Sequence, residues 1–195
     1  MSHNSYGIVI EGSFDEAVYP VFVRKIANND VTIYTRPCGG VSKLMEKFAA
    51  LLQELQHVQQ GTAVEKALVI RDSNGKSLSD LHNTFQEKIA NREFSFPHGV
   101  HFCITRREME TWLLADEQAI HDVVFRRSGR DISGVVNGAL EDIVDPKDRL
   151  IRMLSGAKVP YDPAVCRELA QETRLEQLRY RCPSFRSFED KVSNC

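Results

Sequence analysis

The sequence predicts an α/β fold with an open, mainly parallel sheet of about four strands, helices on both faces and a helical C-terminal region. Four short apolar segments of the 195-residue chain alternate with segments whose apolar residues recur every three or four positions. This is the pattern of strands joined by crossover helices, which makes neighbouring strands parallel. The alternation stops at about residue 128. We therefore predict an α/β domain over residues 1–127 and a helical extension over residues 128–195, packed on it.

The first two strand–helix units occupy the N-terminal part of the chain. Residues 6–10 are a short apolar run, as expected of a strand covered on both faces. Ser13 starts a helix, with Glu16 three residues on at the spacing of a capping box. Residues 31–35 predict a second strand, and a long helix with a continuous apolar face begins at Val41.

The next two units complete the predicted sheet. Residues 67–70 form the third apolar run, and a polar helix follows it. Residues 100–104 predict the fourth strand, which leads into a helix that carries Glu108 and Glu110 in its first turn. Asp116 is placed to cap the next helix.

Composition and charge exclude several classes of protein. Hydrophobic residues make up 42% of the chain and charged residues 27%, and no apolar run is long enough to span a membrane. Five cysteines without a C-x-x-C pair argue against structural zinc and, with no signal-peptide layout, predict a cytoplasmic protein. The net charge of −2 means that a nucleic-acid partner needs a local basic patch. Residues 146–186, with nine Lys or Arg and five Asp or Glu, are a candidate.

Acidic side chains follow three of the four predicted strands, at the edge where open sheets bind their ligands. Such oxygen ligands suit Mg²⁺ or Mn²⁺, and no histidine stands beside them to favour zinc. The sequence therefore predicts a metal centre from three pairs of residues, one after each of the first, third and fourth strands. These pairs are Glu11 and Asp15, Asp72 and Asn74, and Glu108 and Glu110.

Each of these residues also has a purely structural explanation. Acids in a first helical turn are favoured by the helix macrodipole, which accounts for Asp15, Glu108 and Glu110. Residues 72–75, Asp-Ser-Asn-Gly, are a common turn composition. Glu11 is harder to explain in this way, because a carboxylate directly after a buried strand needs a partner or a cation. The convergence of the three pairs is what favours a metal site.

Two short motifs resemble those of TOPRIM domains. Residues 10–16, Ile-Glu-Gly-Ser-Phe-Asp-Glu, resemble the first TOPRIM motif, especially the E-G-x-x-E form of the overcoming-lysogenization-defect (OLD) nucleases. Residues 72–74, Asp-Ser-Asn, match in part the acidic D-x-D of the second motif. The resemblance implies a TOPRIM-like metal fold, in which Asn74 replaces a charged ligand by a neutral carbonyl and should weaken metal binding.

Three further segments resemble a bacterial family of small, uncharacterised TOPRIM-like proteins. Its R-E-x-E-x-W-L-L-A-D signature is similar to residues 107–116, and the other two are Asp-Pro-Lys-Asp-Arg-Leu at 145–150 and Arg-Cys-Pro-Ser-Phe at 181–185. This resemblance implies a partner, an ABC-type or OLD-like ATPase encoded nearby, as in OLD-like anti-phage defence modules.

Two functions are compatible with these patterns. The first is a nuclease acting on DNA or RNA, in which Mg²⁺ or Mn²⁺ bound by Glu11, Asp72 and either Glu108 or Glu110 activates water. Glu11 is also a candidate general base. The phosphate charge would be neutralised by nearby cations, with the basic C-terminal helices along the backbone. These cations are Lys76, Arg106 and Arg107.

The alternative is a non-catalytic TOPRIM-like subunit that binds and regulates an ATPase partner, with a metal site that has decayed at Asn74. A nuclease needs a basic path beside its acidic cluster, whereas a binding subunit needs an exposed apolar patch. The length argues against a topoisomerase, because 195 residues leave no room for a strand-passage domain and its tyrosine.

Overall fold

The computed structural model describes residues 4–28, 30–57, 64–132, 136 and 138–193. Its sheet has four strands in the order β2-β1-β3-β4, and every neighbouring pair is parallel. The strands are β1 (Asn4–Ile10), β2 (Val31–Pro37), β3 (Lys66–Asp72) and β4 (Val100–Thr105). The predicted α/β fold is confirmed.

Helices follow each strand and make up the C-terminal region. They are α1 (Ser13–Ile26), α2 (Val41–Leu55), α3 (Leu78–Ile89), α4 (Glu110–Leu113), α5 (Glu117–Ser128), α6 (Pro146–Gly156), α7 (Pro163–Glu172), α8 (Leu175–Arg181) and α9 (Pro183–Ser193), with a 3₁₀ turn at Leu140–Asp142. Within the described residues, no strand follows β4. None of the helices there combines the length and the apolar character needed to cross a membrane.

Alternation along the strands divides the core into two layers, one on each face of the sheet. On one face Val69 and Phe102 pack against α2 and α3, where the rings of Phe85 and Phe102 stack with centroids 4.8 Å apart. On the other face the sheet packs against α1 and the C-terminal helices. The buried Trp112 joins this second layer together, because its ring lies 5.1 Å from Phe185 and its Nε1 donates to Ser184 Oγ at 3.0 Å.

The start of α1 differs from the prediction. The helix begins at Ser13, but the N-cap is Gly12, so the third helical position is Asp15 and not Glu16. Asp15 Oδ2 therefore accepts the backbone N–H of Gly12 at 2.9 Å, and Glu16 instead accepts the hydroxyl of Thr35 at 2.6 Å. The predicted capping box between Ser13 and Glu16 is wrong, since the chain enters the helix one residue earlier.

The segment after β4 also differs from the prediction. Helix α4 begins at Glu110, and Glu108 lies in the turn before it. Arg107 adopts a left-handed conformation, with φ 67°, which a right-handed helix cannot include. Its N–H donates to Ser73 Oγ at 2.9 Å. The prediction that Glu108 lies in a first helical turn is therefore wrong, because this turn is tied to the end of β3.

The strand order places a topological switch point between β1 and β3. The chain leaves β1 towards β2 on one side and later returns to β3 on the other side. Open parallel sheets bind ligands in the crevice at such a point, beyond the carboxyl ends of the strands. The last residues of β1 and β3 therefore face the place where a binding site is expected.

Candidate metal centre

A cleft of about 350 Å³ lies beyond the carboxyl ends of the strands. It is lined by residues from the ends of β1 and β3 and from the turn after β4. All six predicted metal ligands are among them: Glu11, Asp15, Asp72, Asn74, Glu108 and Glu110. The structure thus brings together residues that are nearly 100 positions apart in the sequence.

Glu11, directly after β1, is held at the switch point by hydrogen bonds with backbone groups. Its Oε1 accepts the N–H of Asp72 at 3.3 Å, which links the ends of β1 and β3. Its carbonyl accepts the N–H groups of Gly39 and Gly40, both at 2.8 Å. Burial raises the pKa of Glu11, while the Asp72 N–H and the positive charge of Arg71 act against this rise. Glu11 is therefore a preoriented carboxylate beside Asp72.

Asp72 is half-buried and accepts a hydrogen bond from a tyrosine that the sequence analysis missed. The hydroxyl of Tyr19 donates to Asp72 Oδ1 at 3.3 Å. Burial raises the pKa of Asp72 well above its ordinary value, and the negative charges of Asp15, Glu110 and Glu11 raise it further. Tyr19 lies one helical turn after Asp15, so the four-residue spacing was the signal that could have located it on the same face.

Asp15 has a raised pKa, first because it is withdrawn from water and second because other carboxylates lie near it. Burial, together with the charges of Glu11 and Glu110, raises the pKa of Asp15 to about 7, although the Gly12 N–H acts against the rise. Carboxylates in such a group share protons, or a cation, to remain close together. This donor set fits Mg²⁺ or Mn²⁺, which bind carboxylate and carbonyl oxygens.

Glu108 and Glu110 complete the cleft from the turn after β4. Glu110 is only 4% exposed, and Tyr161 donates a hydrogen bond to its Oε1. Glu108 is half-buried and accepts the N–H of Lys147 at 3.2 Å. Burial raises the pKa of Glu108, and the charge of Glu110 adds to the rise.

Lys147 is a cation at the cleft that the sequence analysis did not select as a site residue. Its side chain lines the cleft, with Nζ 5.4 Å from the ring centroid of Phe14 and 5.5 Å from that of Tyr161. These two rings stack with centroids 4.7 Å apart. Cation–π contacts of this kind hold the ammonium group at the rim. Lys147 belongs to the segment at residues 145–150 that carries the family resemblance, and this was the one sequence feature that could have drawn attention to it.

The carboxylates are hydrogen-bonded to the protein rather than gathered round one point. Among the described residues, no three Asp, Glu, His or Cys side chains stand close enough to hold a metal ion together. Asp15 binds the Gly12 N–H, Asp72 binds Tyr19, and Glu110 binds Tyr161.

The three predicted phosphate-binding cations lie beside the acidic cleft and not in it. Lys76, Arg106 and Arg107 together line a neighbouring cleft of about 250 Å³. Arg106 is exposed and forms an ion pair with Asp142 at 3.2 Å. The turns after β3 and β4 form this cleft, so the cations border the carboxylates.

Part of the basic C-terminal patch is engaged within the protein. Arg174 forms an ion pair with Asp116, the residue that caps α5 as predicted. Arg179 forms an ion pair with Glu189 at 2.7 Å, and Arg181 donates to the carbonyl of Val136. These arginines stabilise the helical region, which weakens the prediction that the C-terminal helices follow a nucleic-acid backbone.

The fold and the cleft define the class of this protein: an open parallel α/β protein with a carboxylate-lined crevice at its switch point. The chain belongs to the family defined by the domain of unknown function DUF4276, whose model matches residues 10–193. No curated protein and no solved structure matches the chain. The family match leaves the resemblance to TOPRIM domains as a prediction.

Proposed function

We propose that this protein is a metal-dependent nuclease that hydrolyses phosphodiester bonds of DNA or RNA. The observation that carries the proposal is the meeting of five carboxylates and one amide in a single cleft at the switch point, with cations on its border. The raised pKa of Asp15 and of Asp72 supports it, because repulsion from neighbouring carboxylates adds to the effect of burial at both residues and a divalent cation would relieve that repulsion.

Glu11 and Asp72, with Glu108 or Glu110, would hold the metal, and Asp15 and Asn74 would complete its surroundings directly or through water. When bound, Mg²⁺ or Mn²⁺ supplies a Lewis acid that polarises the phosphodiester and lowers the pKa of water. Glu11 then acts as the general base, since the Asp72 N–H orients it.

The remaining residues orient the acids and neutralise the substrate. Tyr19 holds Asp72 and Tyr161 holds Glu110, so each carboxylate presents a defined oxygen. Lys147 at the rim and Arg107 in the neighbouring cleft would contact phosphate groups of the strand. A nuclease of this kind needs no protein nucleophile.

The resemblance to OLD nucleases also supports a proposal about where the protein acts and with which partner. We expect it to act in the cytoplasm as the TOPRIM subunit of an anti-phage defence module, together with an ABC-type or OLD-like ATPase encoded nearby. The sequence motifs that carry this resemblance are its support.

A second function, a non-catalytic subunit that regulates the ATPase, has one observation in its favour. Asn74 occupies the position of a second acid, and the carboxylates beside it are satisfied by hydrogen bonds from the protein. Such a protein would need a docking surface. Large exposed apolar side chains lie on four different segments: Leu78, Phe125, Val144 and Tyr180.

The test compares cleavage by the wild type, Glu11→Gln and Glu46→Gln. Single- and double-stranded DNA and RNA are incubated with each protein in Mg²⁺, in Mn²⁺ or in EDTA, with and without the neighbouring ATPase. Glu46 is exposed on α2, outside the cleft, and serves as the matched control. We expect cleavage to need metal, to be lost in Glu11→Gln and to persist in Glu46→Gln. Cleavage by Glu11→Gln at the wild-type rate contradicts the proposed mechanism.

A further inference from the structure

A larger cavity of about 660 Å³ lies between α2 and α3. It is bordered by the first turns of both helices and by the end of β3, and we call it the α2–α3 pocket. The residues that matter for its chemistry are Ser42, Arg71, Lys76, Ser77, Asp80 and Lys88. Its volume is within the range of about 300–1,000 Å³ that is typical of small-molecule sites.

Arg71 is the unusual residue of the pocket. Its side chain lines the pocket and is only 7% exposed, yet its Nε has no hydrogen-bond partner among the described residues. A buried polar donor without a partner costs free energy, and each such group in a folded protein calls for an explanation. The side chain borders the pocket, so an acceptor that enters there would satisfy this donor once the guanidinium turns to expose it.

The other groups of the pocket favour an anion. Three cations, Arg71, Lys76 and Lys88, border it against one acid, Asp80. The start of α2 also lacks a side-chain cap and has no acid in its first turn, so its N–H groups are open to an anion. In contrast, Ser77 caps the start of α3.

The α2–α3 pocket adjoins the proposed metal centre. Arg71 directly precedes Asp72 on β3, and successive strand residues point to opposite faces, so one lies towards the pocket and the other towards the cleft. The Arg71 charge also acts against the rise in the pKa of Glu11 that burial causes. Lys76 lines both the α2–α3 pocket and the basic cleft of Arg106 and Arg107, which makes these surfaces continuous.

We propose that the α2–α3 pocket binds the terminal phosphate of a nucleic-acid strand whose adjacent phosphodiester lies in the metal cleft. This inference rests on the proposed nuclease function and names its substrate: a strand end that carries a phosphate monoester. Arg71 would supply the buried donor, and Lys76 and Lys88 the outer charges. The pocket is larger than a phosphate ion requires and leaves room for the terminal nucleoside.

Binding without metal tests the pocket separately from cleavage. Fluorescence anisotropy in EDTA measures the dissociation constant of a short single strand, as DNA and as RNA, with a 5′-phosphate, a 3′-phosphate or two hydroxyl ends. We expect one phosphorylated end to bind at least tenfold more tightly than the hydroxyl ends. Equal binding of all three strands by the wild type overturns the proposal.

Variants then locate the phosphate. Lys88→Ala should remove most of the preference for the phosphorylated end, and Arg71→Lys should do the same if thermal melts show it folded. Lys47→Ala removes the same charge from an exposed position on α2 outside the pocket and should keep the preference. An equal loss in Lys47→Ala and Lys88→Ala overturns the proposal, because the effect is then one of general charge.

Competition distinguishes a strand end from a free nucleotide, which carries the same phosphate chemistry. Inorganic phosphate and nucleoside monophosphates should displace the phosphorylated strand only weakly. Tight binding of a monophosphate with no preference for a phosphorylated strand overturns the strand-end assignment. These binding measurements are made without metal and do not depend on cleavage. If the protein binds the phosphorylated end but cleaves nothing, the nuclease proposal is refuted, whereas phosphate binding by the α2–α3 pocket is not.

Discussion

The hydroxyl of Tyr19 lies 3.3 Å from Oδ1 of Asp72 and 2.8 Å from Oγ1 of Thr105. Tyr19 has one proton to donate, so when it donates to Asp72 the hydroxyl of Thr105 donates to the phenolic oxygen. Asp72 and Thr105 are paired on neighbouring strands β3 and β4. One residue of α1 therefore ties the ends of two strands together and orients the acid of the cleft.

Removing this hydroxyl should weaken metal binding. We expect Tyr19→Phe to reduce the affinity for Mg²⁺ by about 10- to 100-fold, as is typical when a group that orients a metal ligand is lost. The free energy of unfolding should fall by about 1 kcal/mol, the contribution of an ordinary hydrogen bond. Isothermal titration with Mg²⁺ measures the first effect. Tyr180→Phe, at an exposed position, is the control, and equal Mg²⁺ affinity in both variants would contradict this role of Tyr19.

Replacing Asn74 tests the departure from the acidic motif. Asn74 has φ 48°, a left-handed conformation that Asp adopts almost as readily as Asn, so Asn74→Asp should fold normally. The added charge should tighten Mg²⁺ binding, unless repulsion from Asp72 keeps one of the two acids protonated. The measurement is the Mg²⁺ affinity over a range of pH, with Asn74→Ser as the uncharged comparison. Equal Mg²⁺ affinities of the two variants at every pH would show that Asn74 is not part of the metal site.

The metal-free protein should lose stability as the pH rises from about 4 to about 7. Asp15 has a pKa of about 7 in the folded protein against an ordinary 3.8, so the folded state binds this proton more tightly than the unfolded state. The resulting stabilisation is complete below the lower value and is lost as the pH rises through the higher one. The raised pKa values of Glu11 and Asp72 act in the same direction.

Asp15→Asn isolates this effect, because its amide oxygen can still accept the Gly12 N–H. In EDTA near pH 7 we expect its melting temperature to exceed that of the wild type by at least about 3 °C, since roughly 1 kcal/mol corresponds to 2–4 °C in a chain of this size. The difference should disappear near pH 4. Asp190→Asn, on the exposed side of α9, should behave like the wild type. A wild-type stability that rises between pH 4 and 7 by as much as in Asp15→Asn contradicts the raised pKa.

Divalent metal should stabilise the protein by mass action. Metal at 100 times its dissociation constant contributes about 2.7 kcal/mol, which corresponds to a rise of about 5–10 °C in melting temperature. Thermal melts with Mg²⁺, Mn²⁺ and EDTA measure it, and Glu11→Gln should show a much smaller rise. No shift with either metal at millimolar concentration would favour the non-catalytic subunit.

Short-range patterns were sufficient to predict the strands and the edge that carries the acids. A strand buried on both faces must be an apolar run, and the residue after it must lie at the end of the sheet, so Glu11 and Asp72 could be placed without coordinates. The helix cap at Asp116 could also be predicted, because it depends only on the residues that directly follow it. The capping box at Ser13 failed because a shift of one residue changes which acid faces the helix start.

The tertiary structure alone decided what surrounds each acid. Tyr19 and Asp72 are 53 positions apart, and Glu110 and Tyr161 are 51 positions apart, so no periodicity relates either pair. Burial could not be predicted either. In the sequence Arg71 is an ordinary strand residue, and it is the packing of α2 and α3 that encloses it. Chain periodicity determines which side of an element a residue occupies, whereas its charge state and its partners depend on contacts between distant segments.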